Sequence, residues 1–221
     1  MAGQQEQMPL LPDIPSRRPF DALSMLSVRL GLLLFAALVL SVLARVPLSV
    51  FSYHPFFMTL FIVLFTEGIA LLQPTSTAIE KQRGLRRHAI VQGAAITAAI
   101  LGVSAIFYNK VISNKDHFTS AHGQLGLFVI LFLISQVVFG LLVGYTTPAA
   151  KRYWKYHRIT GYTLTIIAWL TAELGVRADY VYNNMAFEGL IWFHWVALIL
   201  IILGISYRVR LSKWGIRVTQ A

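Results

Sequence analysis

Six apolar runs separated by short connections constrain this chain more than any other feature. They fall at about 26–46, 53–72, 88–108, 121–143, 156–172 and 189–207. About 20 apolar residues are needed for a helix to cross the roughly 30 Å hydrocarbon layer of a bilayer. Each run can span that layer, the fifth barely so on its own. Composition agrees, because 13% of the residues are charged, where a soluble domain carries roughly 25%. No long soluble insertion interrupts the series. The chain therefore reads as one all-α integral membrane domain of six transmembrane helices over 23–212. A polar segment at 1–22, with Pro9, Pro12, Pro15 and Pro19, reads as a disordered tail, and 213–221 as a second tail. With no apolar core beside the first methionine, 1–22 is not read as a cleavable signal peptide.

The formal net charge of +10 raises nucleic acid as a partner, but the basic residues lie between apolar runs and not on one soluble face. They are topology signals instead. Counted by alternate sides, 15 of the 19 Lys and Arg residues fall on one side and four (Arg45, Lys110, Lys115 and Arg177) on the other. The positive-inside rule then places both termini in the cytosol. Endomembrane and plasma membrane both remain open. The absence of cysteine excludes disulfides, thiolate-held iron–sulfur clusters and covalent c-type haem attachment.

Four histidines stand at the front edges of successive runs: His54, His88, His122 and His157, at intervals of 34, 34 and 35 residues. With the N-terminus inside, His54 and His122 belong to the outer ends of helices 2 and 4, and His88 and His157 to the inner ends of helices 3 and 5. The series thus resolves into one pair on each side of the membrane. Two neutral imidazoles from facing helices can hold a haem iron at both axial positions. All four are expected in the first turn of a helix, where the dipole favours the neutral ring. A lone histidine here could equally be an interfacial residue, but two matched pairs favour metal binding. Zinc fits less well, since no Cys, Asp or Glu stands near to complete four ligands.

The residues around these histidines resemble the cytochrome b561 family over about 25–210: Tyr53-His54-Pro55-Phe56-Phe57-Met58, Arg87-His88, Ser120-Ala121-His122-Gly123-Gln124-Leu125-Gly126-Leu127 and Tyr156-His157-Arg158-Ile159-Thr160-Gly161-Tyr162. The resemblance implies a four-helix core of helices 2–5 holding two b-type haems, each with two axial histidines. It makes His54 and His122 the outer ligands and His88 and His157 the inner ones. It further implies a transmembrane oxidoreductase, probed best as an ascorbate-dependent or ferric-chelate reductase. Electrons would pass from cytosolic ascorbate to monodehydroascorbate or a ferric chelate outside, in a homodimer. The chain is similar to the short members without extra domains. Its His122-Gly123-Gln124 departs from the His-Ser-Trp of many members, which leaves donor and acceptor open.

Other residues invite a role. Arg86 and Arg87 adjoin His88 and are expected beside the inner haem, where they could pair with propionates. Lys81, Arg83 and Arg152 are candidates to attract an anionic donor, although the positive-inside rule alone accounts for most such charges. On the outer side, Lys115 and His117 precede His122 and could belong to an acceptor site. Glu67, deep in helix 2, reads as either a proton relay for the inner haem or a protonated group bonded to a neighbouring helix. His194, between Trp192 and Trp195, reads as interfacial and without a partner. Phe57, Phe61 and Phe65 read as helix packing. Gly93, Gly102, Gly126, Gly140 and Gly161 allow close approach of a flat ring or of another helix. A different class of function, a metal-ion or proton transporter built on the same histidines, remains the alternative.

Overall fold

The computed structural model describes residues 19–72, 77–145 and 152–209. Most of the N-terminal tail and the whole C-terminal tail lie outside them. Helices α1 (Asp21–Leu43), α2 (Tyr53–Ala70), α3 (Ala78–Ile112), α4 (Ala121–Tyr145), α5 (Trp154–Val176) and α7 (Trp192–Arg208) follow in order, with a four-residue α6 (Asp179–Tyr182) before α7. Single 3₁₀ turns at Val50–Ser52 and Glu188–Ile191 lead into α2 and α7. All but α6 are long and apolar enough to cross a membrane, giving the six expected spans. Leu33, Ile90 and Leu203 are among the many apolar side chains that face outward, as a lipid-covered surface requires.

Helix α3 departs from expectation. Thr77 starts it ten residues ahead of the apolar run: its hydroxyl accepts from the Glu80 N–H at 3.1 Å, and the Glu80 carboxylate accepts from the Thr77 N–H at 3.3 Å. This capping box satisfies two donors at once. The 35-residue helix is about 52 Å long, so its first turns stand clear of a 30 Å layer. His88 is consequently its eleventh residue and not in the first turn, and the helix-dipole reasoning does not apply to it. The other three do lie in first turns, His54 and His122 second in α2 and α4, and His157 fourth in α5. Ser120 helps to set His122 there, its hydroxyl accepting from the Gly123 N–H at 3.1 Å.

The closest helix pairs are α2 with α3, α1 with α7, and α4 with α5. Alpha1 and α7 touch backbone to backbone, because a Cβ at Gly31 or at Gly204 would come within 2.6 Å of a carbonyl oxygen on the other helix. The α2–α3 and α4–α5 hairpins meet mainly through a light contact of α2 with α5. Where α1, α2 and α5 converge, the Trp169 indole donates to Thr66 Oγ1 at 3.1 Å and its ring stands edge-on to Phe35. Phe61 and Phe65 are buried in the same core, as the packing reading of the stripe expects. One turn further along α2, Arg208 is buried at 5% exposure. Its guanidinium donates twice to the Ala70 carbonyl at 3.1 Å, and also to the Asp21 carbonyl and Ser24 Oγ. Burying that charge is tolerable because its donors are met, and the clamp ties the ends of α1, α2 and α7 together.

Candidate haem-binding core

The four histidines gather into the two levels that topology implies. At one level the rings of His54 and His122 face each other with centroids 6.0 Å apart and planes at 81°. At the other, His88 is an electrostatic neighbour of His157. The gap between levels follows from the helices themselves. Gly68, which meets His88, is 14 residues beyond His54 along α2, and Gly102, which meets His54, is 14 residues beyond His88 along α3. Fourteen residues of helix rise about 21 Å.

Three of the four rings are held from the facing helix of their own hairpin. His54 Nδ1 hydrogen-bonds the Gly102 carbonyl, His88 Nδ1 the Gly68 carbonyl and His122 Nδ1 the Thr171 carbonyl, each at 2.9 Å. A carbonyl can only accept, so Nδ1 carries the proton and Nε2 is the bare nitrogen. Glycine makes room for the α4–α5 rings. A Cβ at Gly175 would lie 3.0 Å from Cε1 of His122, and one at Gly140 would lie 2.9 Å from Cε1 of His157. Of the glycines expected to allow close approach, Gly102 and Gly140 do so, whereas nothing lies within 4 Å of a Cβ at Gly93 or Gly161. Gly126 is ordinary, with Thr171 at 3.9 Å. Gly68 and Thr171 had no signal in the sequence, because a backbone acceptor has no side chain to advertise it, and Gly175 acts only by lacking a Cβ.

These residues fit a bis-imidazole iron. Metal–nitrogen bonds of about 2.0–2.1 Å on opposite faces of one ion leave two ring centres roughly 6 Å apart, the separation of His54 and His122. Hydrogen-bonded Nδ1–H and bare Nε2 are the tautomer a metal ligand needs. Among the described residues no three His, Asp or Glu side chains converge as a metal-ion cluster, so the pairs stand as pairs.

The remaining candidates scatter. Lys81, Arg83, Arg86 and Arg87 lie exposed on the protruding start of α3, and Arg152 is exposed with its guanidinium over the Tyr153 ring. His117 stacks on Phe107 of α3 at 4.3 Å, and Lys115 is exposed in the same loop. Glu67 bonds a neighbouring helix, as one of its two readings expects, and its partner there is a cation. Arg29 of α1 grips it through Nη2 at 2.7 Å and Nε at 3.2 Å, on a bundle surface where the two side chains are 58% and 21% exposed. The reading of His194 also needs correction. It is 1% exposed, with Nε2 3.0 Å from a Glu173 carboxylate oxygen on α5 and Nδ1 against the Ile191 carbonyl. Helix α7 turns it inward while Trp192 faces outward. The reading failed because its partner lies 21 residues away on another helix.

A helical membrane bundle with two tiers of paired imidazoles defines a b-type cytochrome class, and comparison with known proteins agrees. The profile of eukaryotic cytochrome b561 matches residues 53–183, and the chain belongs to that family. It is 32% identical over 142 residues to the transmembrane reductase CYB561D2 of Mus musculus, covering 62% of this chain and 61% of that protein. The Homo sapiens protein of that name gives the same identity and coverage. The probable transmembrane reductase CYB561D1 of Mus musculus is 30% identical over 174 residues, covering 75% and 73%. The chain thus spans about three fifths of the length of the CYB561D2 relatives it matches.

Proposed function

We propose that this chain is a transmembrane oxidoreductase that holds two haem b groups and passes single electrons from a cytosolic donor to an acceptor across the membrane. The observation that carries the reading is the pair of imidazole tiers, three of whose four rings commit Nδ1 to a main-chain carbonyl and keep Nε2 bare. His54 with His122, and His88 with His157, would be the axial ligands. When bound, the haems supply a one-electron iron couple in each tier. The chain's part is to fix the rings, exclude water with the apolar helices, and keep the tiers about 21 Å apart centre to centre, which suits electron transfer with no moving part. The names of the relatives support a reductase.

Charge asymmetry supports cytosolic termini, with the His88–His157 tier on the cytosolic side. Lys81, Arg83, Arg86, Arg87 and Arg152 then present cations to an ascorbate-like anion on that side. Lys115 and His117 lie on the acceptor side, where monodehydroascorbate or a ferric chelate would be reduced. The membrane is an endomembrane or the plasma membrane, and the assembly is a homodimer.

Purified protein is expected to be red, with about two haems per chain and a Soret band that shifts with dithionite. A colourless folded preparation would overturn the proposal. Stopped-flow reduction by ascorbate tests the donor. Lys81→Ala and Arg152→Ala should raise its KM with haem spectra intact, and an unchanged KM would return these residues to topology.

A further inference from the structure

The three satisfied rings obey one register. Each acceptor stands 14 residues after the histidine that shares its own helix: Gly68 after His54 on α2, Gly102 after His88 on α3, and Thr171 after His157 on α5. Hairpin geometry explains this, because antiparallel helices bearing rings at both levels bring the same offset to each partner. Applied to α4, the register leads from His122 to Gln136. The ring that should meet it is His157, and His157 Nδ1 is the one ring nitrogen of the four that is buried without a partner.

Gln136 differs from the other three positions. Gly68 and Gly102 have no side chain, and the Thr171 hydroxyl is spent on the Ile167 carbonyl. Gln136 is a buried amide. Its Nε2 is held by Thr160 Oγ1, which in turn donates to the Tyr156 carbonyl at 2.7 Å. Its Oε1 is buried without a partner, like His157 Nδ1. An orphan donor and an orphan acceptor thus sit at one level. Gly140, one turn beyond Gln136, bears on the ring itself, since a Cβ there would lie 3.5 Å from Nδ1. Each group left unpaired keeps the full cost of its desolvation.

The geometry points to Gln136 as the positioning residue of His157: its side-chain Oε1 accepts the Nδ1–H bond that main-chain carbonyls accept from the other three rings. The two atoms are not yet in contact, so this bond forms when the ring is fixed through Nε2. The inference rests on the reading of His157 as an iron ligand. It makes one tier chemically distinct, tuned by a side chain that substitution can change. An acceptor on Nδ1–H raises the basicity of the ligand, which favours the ferric iron and lowers the potential of that haem.

The test is redox titration of the purified holoprotein carrying Gln136→Leu, Gln136→Asn or Gln136→Glu, with haem content and low-spin electron paramagnetic resonance recorded alongside. Gln136→Leu should raise the reduced-to-oxidised ratio of one haem about tenfold at fixed ambient potential, equivalent to about 59 mV. Gln136→Glu, a stronger acceptor, should shift the same haem the opposite way, and the other haem should not move. Shifts of one sign for Leu and Glu, no shift in either, or loss of one haem from all three variants would overturn the assignment in favour of packing or of the backbone carbonyl of residue 136. Wild-type protein without haem would instead defeat the functional proposal itself.

Discussion

Adding one methyl group at Gly140 or Gly175 tests the haem tiers most directly. A Cβ at these positions would lie 2.9 Å from Cε1 of His157 and 3.0 Å from Cε1 of His122. Carbon atoms rest at about 3.5–4.0 Å, so each ring would have to withdraw by roughly 0.5–1.1 Å. Metal–ligand distances tolerate about 0.2 Å, several-fold less than the displacement. Gly140 lies inside α4 with a further turn of helix beyond it, and Gly175 lies in the last turn of α5. Alanine also favours helix over glycine by about 0.5–1 kcal/mol, so any loss reports the clash and not a weakened helix. Gly140→Ala and Gly175→Ala should each lower haem content from about two to about one per chain. The pyridine haemochrome assay on purified protein measures this, and redox titration should show one transition where wild type shows two. Gly126→Ala is the control, since its Cβ would meet only Thr171 at an ordinary 3.9 Å. Two haems per chain with an unshifted Soret band in both Gly140→Ala and Gly175→Ala would refute the reasoning.

Three further outcomes follow from the contacts. Arg208→Met strips the Ala70 carbonyl of both its guanidinium donors, while the Asp21 carbonyl keeps Ser24 Oγ. At about 1–3 kcal/mol per orphaned acceptor, melting in detergent should fall by several degrees, and an unchanged Tm would show that water or lipid replaces the clamp. Glu67→Gln and Arg29→Gln break an ion pair on the bundle surface, where such pairs are worth about 0–1 kcal/mol in water. Both should leave the pH slope of each haem potential unaltered, and a flattened slope in Glu67→Gln would reinstate the proton relay. Truncating one member of the buried His194–Glu173 pair should cost about 1–3 kcal/mol by leaving the other polar group buried alone, whereas replacing both with leucine should recover much of that loss. A double-variant loss equal to the sum of the two single losses, by thermal denaturation, would show that the two residues act independently.

Most of the architecture was legible before any coordinates, because a bilayer removes the choices a soluble chain keeps. Apolar runs of span length can only be helices, their order fixes which ends share a side, and that alone sorted His54 with His122 and His88 with His157. Helix starts were less legible. The apolar run put His88 on the level of His157, but the Thr77–Glu80 box begins α3 ten residues earlier, since capping needs no hydrophobicity.

What the sequence determined by itself, then, was the number of spans, the two tiers of histidines and the family whose motifs carry them. These depend on composition and on spacing along one dimension. Only the tertiary structure decided what touches the rings: the carbonyls of Gly68, Gly102 and Thr171, the bare faces of Gly140 and Gly175, and Gln136 opposite an unmet Nδ1. It also turned His194 inward onto Glu173 and placed Glu67 against Arg29. Such contacts depend on how far one helix rotates and slides against the next. Packing sets that rotation, and hydropathy along a chain does not record it.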